Sequence, residues 1–129
     1  MINTILFDLG LFHKHHPMRV RALHALTDDG INVGIVARES RKEATTLLKK
    51  ADIWLFADLL VVYPECDAGE NPWLTAISAF DSDKKSTLCV VMPKESWTDA
   101  AATNATVVSA QPFDITTDNL NSWMGLLND

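Results

Sequence analysis

The feature that most constrains this chain is an alternation: short, almost wholly apolar runs, each followed by a segment with helical spacing. Thr4 to Phe7 opens the pattern with apolar and β-favouring residues, as expected of a strand buried on both faces. Pro17 then suits the first turn of a helix, where its missing N–H costs nothing. Val20, Leu23, Ala25 and Leu26 give that helix an apolar stripe, and Asp28-Asp29-Gly30 supplies a stop. "NVGIVA" reads as a second strand, and a helix is expected from about Glu39 to Lys50 with Ala44, Leu47 and Leu48 inward. "DIWLFADLLVVYP" is too apolar for a surface segment. It reads as one or two short strands around a turn at Ala57-Asp58, with Trp54 in the core.

"GENPWLTAISAF" predicts a helix entered through Pro72, with Leu74, Ile77 and Phe80 facing inward. "TLCVVM" is the clearest buried strand. Ser96 is a good N-cap for "WTDAAATNA", and Asp99 completes an approximate capping box. "TVVSA" is a last strand, and Thr117 caps a final helix through Leu127. Strands alternating with helices specify a doubly wound, Rossmann-like three-layer α/β fold with a mainly parallel five-stranded sheet. The 129 residues show no repeat and no linker, so one domain over 1–129 is expected. Such folds bind ligands beyond the carboxyl ends of the strands. That rule selects four places: after Phe7, after Val36, after Val62 and after Val91.

Composition removes several function classes. The formal charge of −6 argues against nucleic acid, whose phosphates would be repelled. Basic residues gather at Arg38, Arg41, Lys42, Lys49 and Lys50, where helical spacing spreads them over a solvated face. No apolar stretch approaches the roughly 20 residues that span a bilayer, and the N-terminus lacks a signal-peptide pattern. The two cysteines fit neither a disulfide framework nor a zinc spacing: Cys89 reads as core and Cys66 as loop. A cytoplasmic protein is expected.

The chemistry gathers at strand ends. Asp8 closes the first strand, and "MPKESWTD" brings Glu95 and Asp99 to the same edge. Asp8, Glu95 and Asp99 together could hold a hard cation such as Mg²⁺, which takes oxygen ligands and retains waters. A carboxylate there could also attack phosphorus, with the metal offsetting phosphoryl charge. The bland readings are a loop cap for Asp8 and service to a helix dipole for Asp99.

At these residues the chain resembles the haloacid dehalogenase-like superfamily. "TILFDLG" is similar to its first motif, an apolar strand ending in Asp-x-Asp-Gly-Thr. "ALTDDGINVGIVARES" resembles the second block, a helix ending at Gly and a strand ending in Thr or Ser. "AGENPWLTAISAF" resembles the third, a Lys-Pro pair opening a helix. "LCVVMPKESWTDAAATNATVVSA" resembles the fourth, Gly-Asp-Ser-x-x-Asp before an Ala-rich helix and a strand. The four blocks run in order over nearly the whole chain.

The resemblance implies that Asp8 stands at the nucleophile position and that Glu95 and Asp99 match the two metal-binding acids. It also exposes gaps. Gly10 stands where the family's general acid and base would be, or one residue has been deleted there; Ala37 stands where its phosphate-orienting Thr or Ser would be, and Asn71 where its Lys would be. Ser40 falls three residues too late to replace the second of these. Losing a general acid typically costs about 10²–10⁴ in rate, and losing a charge-stabilising donor about 10²–10³. A HAD-like domain impaired in catalysis, acting in binding or regulation, is therefore the leading expectation. The alternative is an active Mg²⁺-dependent phosphohydrolase with Asp8 as nucleophile and His13 or His15 as substitute acid and base.

Only "LGLFHKHHP" separates Asp8 from the first helix, which leaves no room there for the lid that the family commonly inserts. Open strand ends would suit a phosphorylated or macromolecular ligand, including a protein partner. Ser96 and Trp97 are placed to touch such a ligand, Trp97 by stacking. The family resemblance carries one topological consequence: the first strand should be central, flanked by the second and fourth.

Overall fold

The structure, a computed structural model, describes residues 2–93 and 97–125. Five strands, β1 (Thr4–Asp8), β2 (Asn32–Ala37), β3 (Leu59–Val62), β4 (Thr87–Val91) and β5 (Thr106–Ser109), form one sheet. All pairs are parallel and the order is β3-β2-β1-β4-β5. The first strand is central, as the resemblance requires, and the crossing back from β3 to β4 creates the switch point beside β1. Asp8 lies opposite Val36 across the β1–β2 ladder.

Period-2 alternation sorts each strand between two cores. Ile5 and Phe7 of β1 pack with Val33, Ile35, Leu88 and Val90 under helices α1 (Pro17–Asp28), α2 (Arg41–Lys50) and α5 (Thr117–Gly125). Leu6, Val36, Val61, Cys89 and Val91 face the opposite way, against α3 (Pro72–Ala79) and α4 (Trp97–Ala101). The middles of β1, β2 and β4 are thus apolar because both their faces are covered, whereas the edge strand β5 is only partly buried and ends in the exposed Ser109. Burial pushes the Cys89 thiol up to about 12, so it behaves as a small hydrophobe.

The helix boundaries follow local chemistry. His16 caps α1, its Nδ1 accepting from the Met18 amide, with Pro17 at the first position. The same helix stops at Gly30, whose φ of +75° suits a residue without Cβ. Ser40 caps α2 by accepting from the Glu43 amide, so the helix begins at Arg41 rather than Glu39. The last helix begins at Thr117, and the hydroxyl that accepts an amide, from Asn119, belongs to Thr116. Its expected end at Leu127 and the expected cap at Ser96 lie outside the described residues.

Two segments depart from expectation. Leu9–Phe12 forms a 3₁₀ turn whose Leu9, Leu11 and Phe12 are fully buried, Phe12 meeting Phe7 edge-to-face at 5.4 Å. "DIWLFADLLVVYP" supplies a single strand, because Trp54–Phe56 coils as a second 3₁₀ turn. Trp54 is therefore not core: it is 38% exposed, with the Lys49 ammonium 5.5 Å from its ring centroid. No helix among the described residues is long and apolar enough to cross a membrane.

Candidate functional site

Beyond the carboxyl end of β1 lies a cleft of about 260 Å³ lined by Asp8, Gly10, His13, Arg38, Glu39 and Met92. Asp8 is 5% exposed. Its Oδ1 accepts from the Gly10 amide at 3.2 Å, which makes Asp8 the cap of the 3₁₀ turn. Its Oδ2 is buried and, among the described residues, has no hydrogen-bond partner. A buried carboxylate oxygen without a donor is costly to keep and is an orphan to be explained.

Gly10 shapes the cleft by what it lacks. A Cβ at that position would stand 2.5 Å from Met92 Sδ, so the thioether fills the space that a side chain there would need. Arg38 and Glu39 reach the cleft because β2 ends one residue earlier, at Ala37. The Arg38 guanidinium lies 4.3 Å over the Tyr63 ring, within cation–π range. His13 Nε2 is 3.7 Å from Glu39 Oε2.

The three neighbouring histidines separate. His13 lines the cleft, His15 turns away to Asp52 at 3.2 Å, and His16 is spent on capping α1. Asp99 is held elsewhere. Its Oδ2 accepts from the Tyr63 hydroxyl at 2.7 Å, and its backbone carbonyl accepts from Asn71 Nδ2 at 2.6 Å. The Tyr63 oxygen in turn accepts from Trp73 Nε1 at 3.3 Å. Burial, and then the bond to Asp99, raise the Tyr63 pKa above its ordinary value. Trp97 is half-exposed at the start of α4, and neither it nor Asp99 lines the Asp8 cleft.

Glu95 and Ser96 lie outside the described residues. Among the described residues no group of three His, Cys, Asp or Glu is arranged to hold a metal ion. The residues that sequence reasoning missed are Arg38, Glu39 and Met92. For the first two a signal existed, since they follow a strand end already marked as a ligand position. Helical spacing reads Arg38, Arg41 and Lys42 as one solvated face, but α2 begins at Arg41 and Arg38 lines the cleft. Met92 had no local signal, because its role depends on a glycine eighty-two residues away in sequence (10 to 92).

Scans against protein-family models and against curated proteins found no match. Solved structures do match. An uncharacterized protein from Corynebacterium glutamicum superposes with a TM-score of 0.75 at 14% identity, covering 99% of this chain and 96% of its own. A HAD-superfamily hydrolase from Ehrlichia chaffeensis superposes with a TM-score of 0.64 at 10% identity, covering 88% of this chain. The fold is HAD-like. The match takes in 58% of that hydrolase's length. At these identities the likeness concerns the fold alone, and the HAD-like sheet order puts Asp8 at the switch point where such folds bind ligands.

Proposed function

We propose that this chain is a binding or regulatory domain of HAD-like fold whose Asp8 cleft has lost phosphatase chemistry. The observation that carries the reading is the Gly10–Met92 contact. Where the resemblance puts a general acid and base two residues after Asp8, the chain has no side chain, and a thioether occupies the space. A thioether carries no proton to give to a leaving group. The Lys position of the third motif is Asn71, whose side chain is spent on capping α3 and on the Asp99 carbonyl. Only residues 9–16 separate Asp8 from α1, which supports a capless domain with open strand ends. Such an opening suits a phosphorylated or macromolecular ligand.

Asp8 fits a hard cation, because its Oδ2 is buried without a donor. By the resemblance Glu95 would join it, while the Asp99 carboxylate is held by Tyr63. Mg²⁺ in this cleft would stabilise negative charge on a phosphoryl oxygen. Asp8→Asn weakens Mg²⁺ binding measured by calorimetry if Asp8 is the ligand.

A specific observation favours a second reading, an active Mg²⁺-dependent phosphohydrolase. His13 shares the cleft with Asp8, and its Nε2 lies 3.7 Å from Glu39 Oε2. His15 has no such place. Turnover of an aryl phosphate by the purified chain decides between the two. On the leading reading, wild type with Mg²⁺ is no faster than Asp8→Asn. Metal-stimulated turnover that disappears in both Asp8→Asn and His13→Ala establishes the enzyme instead.

A further inference from the structure

A second cleft, of about 330 Å³, adjoins the first and shares Gly10 and His13 with it; Lys14, Arg19 and Pro112 complete its lining. No acidic residue among the described residues lines it. Arg19, in the first turn of α1, is 8% exposed, which is rare for an arginine unless it is paired. Nη1 donates to the Pro112 carbonyl at 3.2 Å and Nη2 to the Lys14 carbonyl at 2.8 Å. Nε is buried and, among the described residues, unpartnered. None of the ion pairs among the described residues involves Arg19. Burial lowers its pKa, and a guanidinium nonetheless stays charged at neutral pH.

A permanent charge held in a low-dielectric wall without a counter-ion projects a positive potential into the space beside it. Two carbonyls satisfy only part of the guanidinium's donor capacity. Lys14 and His13, both exposed, line the same cleft, so three basic residues surround it. That spread suits a tetrahedral oxyanion better than a planar carboxylate, which a single guanidinium fork would match. We propose that the Arg19–Lys14–His13 cleft is an oxyanion subsite that takes the phosphoryl group of a ligand. A ligand anchored there would lay its remainder across Gly10 towards Asp8; only this orientation rests on the reading given for the Asp8 cleft.

Inorganic phosphate is the probe, titrated into the full chain and followed by amide spectra, including the Arg19 Nε–H resonance. The expected result is a saturable shift confined to Arg19 Nε–H and the amides of residues 10–19, absent with sodium chloride at matched ionic strength. Arg19→Met should weaken phosphate binding about tenfold or more, the loss expected for a charge-assisted bond. Because Arg19 also ties residue 14 to residue 112, that variant could fail to fold. Lys14→Ala covers the case, since Arg19 bonds its backbone carbonyl and not its side chain. It should fold and bind phosphate severalfold more weakly. Equal shifts from phosphate and chloride overturn the subsite, as does unchanged affinity in Lys14→Ala. Asp8→Asn should leave phosphate binding intact. If phosphate binding is lost in Asp8→Asn and kept in Lys14→Ala, the anion sits at Asp8, which overturns the subsite and leaves the reading of the Asp8 cleft standing.

Discussion

Two aspartates stand near the carboxyl edge of this sheet, and their surroundings are opposite. Asp99 is tied in at two points: Tyr63 donates to its Oδ2, Asn71 donates to its backbone carbonyl, and Trp73 backs the tyrosine. Asp8 is more deeply buried and has one amide on one oxygen and, among the described residues, nothing on the other. A bonded polar cluster of this kind fixes helices in place, here α3 against α4. A half-bonded carboxylate in a cleft gains less from folding, and its bare oxygen is what the proposed ligand role would use. The same residue type at the same edge is therefore tied into the packing in one place and left half-bonded in a cleft in the other.

The largest effect should come from the structural side. Trp73 is fully buried beneath the Tyr63–Asp99 bond, and Trp73→Ala should cost about 3–5 kcal/mol in denaturant unfolding. Asp8→Ala in the same assay should cost far less. Comparable losses from the two would erase the distinction. Next in size is Tyr63→Phe, which strands both the Asp99 carboxylate and the Trp73 indole N–H; about 1–3 kcal/mol is expected. Asp8→Asn, which keeps an acceptor for Gly10, should be neutral or stabilising by up to about 1 kcal/mol. A clear loss of stability in Asp8→Asn would make Asp8 structural too.

The contrast between the aspartates was only half legible in the sequence. Asp8 could be found because a run of apolar residues must end somewhere, and in a doubly wound fold that end is where ligands bind. The strands themselves were readable for the same reason, since burial on both faces leaves no polar interruption. The Leu9–Phe12 turn was not, because its buried residues follow neither a two- nor a 3.6-residue period. Trp54 misled in the other direction: an aromatic in an apolar run usually marks core, but the chain coils there and leaves the ring to Lys49. Asp99's commitment to Tyr63 joins residues 36 positions apart, and such long-range pairing has no local signature.

A smaller effect tests the floor of the Asp8 cleft. Gly10→Ala forces Met92 to move, and since the contact is with a flexible thioether the cost should be about 1 kcal/mol. Met92→Ala should remove most of that penalty, so the double variant is more stable than the two single losses predict. Additive losses would mean that Met92 does not occupy the Gly10 space, and the support for lost acid–base chemistry would go with it.

The smallest effect is a titration. Tyr63 is the only tyrosine in the chain, so tyrosinate absorbance reports it alone. Burial first, and the Asp99 bond second, raise its pKa above the ordinary value of 10.0. Because the folded pKa is raised, the stabilisation is fully present below the unfolded value near 10 and is lost as pH rises through the higher folded midpoint. The folded protein should therefore titrate above 10, and its unfolding midpoint should fall over the same alkaline range. Asp99→Asn replaces the carboxylate with a neutral amide, which removes its repulsion of the tyrosinate and offers an N–H to it. The midpoint should move down, and Asp8→Asn should leave it where it was. A Tyr63 midpoint at the ordinary value in wild type, or one that follows Asp8 instead of Asp99, would show the two carboxylates to be coupled rather than separate.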